Sequence, residues 1–226
     1  MQILLYITVL VIGCFLGSII KPKAKFDYRL AIGYIIIALL FRINAALVNF
    51  ANIQDAALLN PLLFVLNWGK SISYLIIGYL ITRIYYSFKS NDTVSRNYPL
   101  KKIVAYTLWA ITIINGFEFI IETGYKIKNL DDLVSQFASY GYAVWFLYFI
   151  MITETLGGIL VLLHFKLKTG PAAAAYLMIV MLGVVYSDWH KGAPFSFSYP
   201  AVDAFMSLSL MQIMYRFEKK ASKRTP

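Results

Sequence analysis

Seven apolar segments, at residues 2–20, 30–50, 61–83, 103–122, 142–164, 171–187 and 200–216, leave this chain few ways to fold. Each is close to the ~20 residues that a helix needs to cross the bilayer hydrocarbon. A chain in lipid must satisfy its own backbone polar groups, which helices of this length do internally. The segments therefore predict an all-α, polytopic membrane protein with seven transmembrane helices. Charged residues make up 14% of the chain and hydrophobic ones 60%, against roughly 25% charged in soluble domains.

The basic residues are placed asymmetrically. Four fall in 21–29, five in 83–102, two in 164–170 and five from Arg216 onward; the alternate connections hold only Lys126, Lys128 and Lys191. Sixteen against three is a strong positive-inside bias, and it places the N-terminus outside and the C-terminus in the cytoplasm. The formal charge of +10 is thus topological, with attraction to anionic lipid secondary, and a nucleic-acid partner is excluded. Lys21, Lys23 and Lys25 follow the first apolar run rather than precede it, so that run reads as a retained anchor, not a cleaved signal peptide. A bacterial inner (plasma) membrane is the expected location.

Four stretches organise the chain: a three-helix membrane segment (1–86), a polar cytoplasmic linker (87–102), a four-helix bundle (103–217) and a basic cytoplasmic tail (218–226). Residues 124–138 mix apolar and polar positions and predict a short interfacial helix capped by Asn129. Gly170-Pro171 predicts a tight inner turn, and Asp203 falls in the expected first turn of helix 7, where it suits the positive helix end. Trp68, Trp109, Trp145 and Trp189 read as interfacial belts.

Several chemistries are excluded. Cys14 is the only cysteine, so no intramolecular disulfide, dithiol or thiolate metal site can form. His164 and His190 fall at opposite membrane faces in this topology, which rules out a bis-histidine haem. Helix 7 has no lysine before its cytoplasmic end, which rules out a retinal Schiff base there. No metal site is expected.

The candidate site centres on Glu154, which lies within the apolar stretch 150–163. A charge at mid-membrane costs at least ~2.5–3.5 kcal/mol on insertion scales, so an acid there is a functional candidate by default. It is either a proton-carrying or ligand-pairing carboxylate, or a buried pair that fixes helix register. Gly157 and Gly158 follow one turn later and let a neighbouring helix approach closely. Glu118 is placed to converge on the same region. Arg42 and Lys70 lie too deep to be loop charges and are expected as countercharges. Asp188 and His190 form an outer-loop candidate, for proton transfer at the surface or as solvated loop residues.

Over residues 103–217 the order of elements resembles the DoxX-like family. Gly116 is followed by Glu118, Glu122 and Lys126 near the end of one helix. Phe137 and Gly141 then fall in an amphipathic outer segment. Glu154, Gly157, Gly158 and Leu160 mark the next helix, Met178 and Met181 an Ala-rich third, and His190 a polar loop before the last. The first three helices lie outside this resemblance. It implies a compact four-helix bundle and, for some relatives, a place in quinone-linked oxidoreductases. Other relatives act as membrane chaperones or cargo receptors.

These readings give one leading function and two alternatives. The leading one is a membrane component of respiratory or redox metabolism, at most a subunit of a membrane oxidoreductase, contacting quinone near Glu154 and Glu118. It would work with a protein partner or as a homo-oligomer. The alternatives are a scaffold, chaperone or assembly factor without chemistry, and a proton-coupled small-solute transporter that uses Glu154.

Overall fold

A computed structural model describes residues 2–20, 24–50, 56–89 and 99–223. Among them the chain is all-helical. Helix α1 spans Gln2–Ile19, α2 Ala24–Phe50, α3 Ala56–Lys89, α4 Leu100–Lys128, α5 Leu130–Ser139, α6 Val144–Leu162, α7 His164–Leu167, α8 Gly170–His190 and α9 Tyr199–Lys223; a 3-10 turn covers Phe195–Ser198. Four helices are long and apolar enough to cross a bilayer: α2 over Ala24–Leu47, α4, α6 and α8. The other long helices are α1, α3 and α9, of 18, 34 and 25 residues. The expected linker at 87–102 falls mostly on residues 90–98, which lie outside the described residues, as do residues 224–226 of the expected tail.

Packing divides the chain into two compact units. One contains α1, α2 as far as Asn44, α3, α4 as far as Ile113, and α9 from Ile213. The other contains the end of α2 from Ala45 and the chain from Ile114 to Gln212.

The first unit is sewn together by glycines and one buried ion pair. Gly13 and Gly17 of α1 lie directly against the backbone of α3 at Leu75 and Tyr79, and Gly78 of α3 lies against Leu10 of α1. The small-residue spacing is what allows this approach. Asp27 at the start of α2 accepts a hydrogen bond from the Tyr79 hydroxyl at 2.7 Å and faces the Arg83 guanidinium at 3.5 Å. Arg83 also donates to the carbonyls of Gly17 and Ile20, at 3.3 and 3.0 Å. Those carbonyls end α1 and have no helical partner, so one arginine closes α1 and ties it to α2 and α3.

The second unit departs from the sequence reading at four places. Helix α4 runs on to Lys128 rather than stopping near residue 122, which puts Lys126 on a helix and not in a loop. The expected interfacial helix exists as α5, but Asn129 does not cap it. Its side-chain amide donates back to the Tyr125 carbonyl at 2.9 Å and closes α4 instead. The turn before α8 is made by Lys168, whose φ of 57° is left-handed, and Gly170-Pro171 already belong to α8. Pro fits there because the first helical N–H groups have no partner. Finally, α9 begins at Tyr199, so Asp203 lies beyond its first turn, and it is buried.

Breaking the Asp27–Arg83 pair leaves a buried cation uncompensated, which typically costs about 3–5 kcal/mol. Asp27→Asn is expected to lower stability by about 3 kcal/mol, read as the shift of the unfolding midpoint in detergent. An unchanged midpoint would show that Arg83 is held by the carbonyls of α1 alone.

Candidate functional site

The second unit encloses a cavity of about 520 Å³ between α4, α5, α6, α8 and the start of α9. Its volume lies in the range of small-molecule sites, which are mostly apolar with a few placed polar groups. Here the apolar part is aromatic: Phe137, Tyr142, Phe146 and Phe149 line the cavity and run as a chain of tilted or stacked rings 5.5–6.3 Å apart. The polar part includes Glu118, Glu122, Lys126, Glu154 and Asp188.

Glu154 is only 1% exposed, and its carboxylate is bound by the Lys126 ammonium at 2.5 Å. The countercharge that the structure places on Glu154 thus comes from α4 in its own unit. Arg42 and Lys70, the cations expected there, belong to the first unit; Arg42 is buried with its guanidinium over the Phe41 ring. Glu118 and Glu154 line the same cavity. Sequence reading placed Lys126 near the end of its helix by resemblance and counted it among the outer-loop charges, but did not pair it with Glu154. The missed signal was helical spacing, since Lys126 follows Glu122 by four residues and Glu118 by eight.

Helices α4 and α6 meet through glycine. A Cβ on Gly158 would meet the Gly116 carbonyl at 2.7 Å, and one on Gly157 would meet Leu177 of α8 at 2.7 Å. The adjacent glycines therefore serve two neighbours, one each. The same seam carries a 2.8 Å hydrogen bond between Thr155 and Thr123. Close approach at this seam sets how far Lys126 must reach to meet Glu154.

Two glycine caps shape the end of the cavity at which α5 and α8 close. Gly141, with φ of 79°, ends α5: its N–H donates to Ala138 and that of Tyr142 to Phe137, with the Tyr142 and Phe137 rings packed together. Gly192, with φ of 68°, ends α8 in the same way, its N–H donating to Trp189 and that of Ala193 to the Asp188 carbonyl. Both are Schellman closures, in which a glycine takes the left-handed position.

These caps separate the two residues expected to work together in the outer loop. Helix α8 extends through His190, which is exposed and stacks on the Tyr186 ring with centroids 5.8 Å apart. Asp188 turns inward and is 6% exposed. It accepts hydrogen bonds from the hydroxyls of Ser198 and Tyr140, at 3.0 and 3.3 Å, and Ser187 beside it bonds Tyr142 at 2.9 Å. Asp188 is thus part of the cavity wall, not a solvated loop residue. Among the described residues no group of three or more His, Cys, Asp or Glu is placed to hold a metal ion.

Apolar helices long enough to cross a bilayer, around a half-open, partly charged cavity, define a helical membrane protein. Residues 110–210, the segment that builds the cavity, match the sequence model of the DoxX-like family, so this part of the chain is similar to that family. No curated protein and no solved structure matches the chain.

Removing one partner of a buried pair is far more costly than removing both. Lys126→Met is expected to destabilise the protein by about 3 kcal/mol, and adding Glu154→Gln to recover most of that loss. Equal losses in the single and double variants, measured by thermal unfolding, would show that the two side chains are energetically independent.

Proposed function

We propose that the chain is an integral membrane protein that holds a flat, lipophilic ring compound of the quinone type in the cavity beside Lys126 and Glu154. In this reading it crosses the membrane seven times with its N-terminus outside, as the distribution of Lys and Arg supports. It serves respiratory or redox metabolism in a bacterial plasma membrane together with a partner subunit that exchanges electrons. The observation that carries the proposal is the 520 Å³ cavity, with its aromatic walls and its single lysine.

The lining suits such a group. Aromatic faces bind a flat ring by offset stacking or edge contact. The Lys126 ammonium has three donors, so it can bond a ring oxygen while keeping Glu154. Glu118 and Glu122 add carboxylates that can hold a proton near the ligand. Quinone would supply the redox chemistry, whereas the chain's own side chains bind, orient and exclude water. With one cysteine, the chain has no dithiol of its own to exchange electrons.

Gly183 offers a clean test. It lines the cavity, and a Cβ added there meets nothing within 4 Å. Gly183→Phe is therefore expected to fill the cavity without strain and to keep or slightly raise helix stability, since glycine costs ~1 kcal/mol in a helix interior. Lipid extracts of gently purified protein are expected to contain a stoichiometric quinone in the wild type and none in this variant. Equal quinone in both, or none in either, would overturn the proposal.

A further inference from the structure

Asp188 is a buried carboxylate without a cation. Among the described residues its side-chain partners are two neutral hydroxyls, of Ser198 and Tyr140. An ionised carboxylate offers about four acceptor positions, so two hydroxyls leave acceptor capacity unfilled. Burying such a group is costly unless its hydrogen bonds are made, yet Asp188 is 94% buried and lines the cavity. Its position is fixed from three sides: by the glycine cap that binds its own carbonyl, by Ser198 and by Tyr140.

The depth of Asp188 matters. Its neighbour Ser187 bonds Tyr142, just before α6 begins, so Asp188 lies level with the start of that helix. Glu154 lies ten residues beyond Val144, which is roughly 15 Å along the axis at ~1.5 Å per residue. Asp188, Glu154 and Lys126 all line the one cavity, so a ring compound that bonds at both ends can stand between them. Between the two levels stand Phe146 and Phe149, both lining the cavity. The cavity therefore has a donor pole at Lys126 and an acceptor pole at Asp188.

We propose that Asp188 determines ligand specificity by accepting a hydrogen bond from a ring hydroxyl, so that the cavity selects the hydroquinone form over the quinone. This rests on the quinone-type reading above and deepens it. The two Asp188 oxygens already act as acceptors, for Tyr140 and Ser198; a ring hydroxyl can donate to them, whereas a quinone carbonyl has no proton to offer. Hydrogen bonds to charged groups are among the stronger neutral-to-charged contacts, which makes the acceptor pole a discriminator and not a mere wall.

The experiment is an anaerobic binding titration of the full chain in lipid nanodiscs with three probes: naphthoquinone, its hydroquinone, and the dimethyl ether of that hydroquinone. The quinone is close to the hydroquinone in size and has no donor; the ether keeps the aromatic ring and its oxygens but carries methyl groups in place of the donor hydrogens. The hydroquinone is expected to bind the wild type about tenfold or more tighter than either of the others. Asp188→Asn, which can donate as well as accept, is expected to shift preference several-fold toward the quinone. The wild-type ratios decide the matter even if that variant does not fold. Equal binding of all three probes, or tighter binding of quinone or ether, would overturn the role of Asp188 and leave the cavity reading standing. Binding of none of them would overturn both.

Discussion

The ion pair between Lys126 and Glu154 is the constraint on which the cavity-bearing unit of this protein depends. A carboxylate 1% exposed amid apolar helices survives only with a partner, and the partner must come from a neighbouring helix held at the right distance. Glycines at 116 and 158 set that distance by letting α4 and α6 touch backbone to backbone. The pair then anchors one end of the cavity, so the same charges that are costly in lipid also give the cavity its polar character.

The remainder of the cavity follows from how its helices end. Helix α5 has no buried residue of its own, yet its closure at Gly141 turns the chain so that Tyr140 and Tyr142 reach Asp188 and Ser187. The closure of α8 at Gly192 fixes Asp188 by its own carbonyl. Two backbone caps thus place two tyrosines and one acid around that end of the cavity. The first unit solves an analogous problem differently, with Arg83 serving both Asp27 and the open carbonyls of α1.

Much of this was legible in the chain. Apolar run length gave the helices, and Glu154 with Gly157 and Gly158 pointed to a buried acid beside a close helix contact. What was not legible concerned helix ends and side-chain direction. Lys126 and Asp188 sit among polar residues that resemble loops, and only continued helical hydrogen bonding turns them toward the interior. Asn129 looked like a cap, but its amide finds the carbonyl of Tyr125 behind it first. Hydropathy measures how apolar a window is; it does not report where the last turn of a helix points a charged side chain.

The most direct test of the central claim is a high-resolution experimental structure of the protein extracted with its native lipids and no added ligand. The account predicts density for a flat molecule in the cavity, in contact with Phe146 and within hydrogen-bond distance of Lys126, with Lys126 still paired to Glu154. A cavity holding only water or membrane lipid tails, with Lys126 turned away from Glu154, would contradict it.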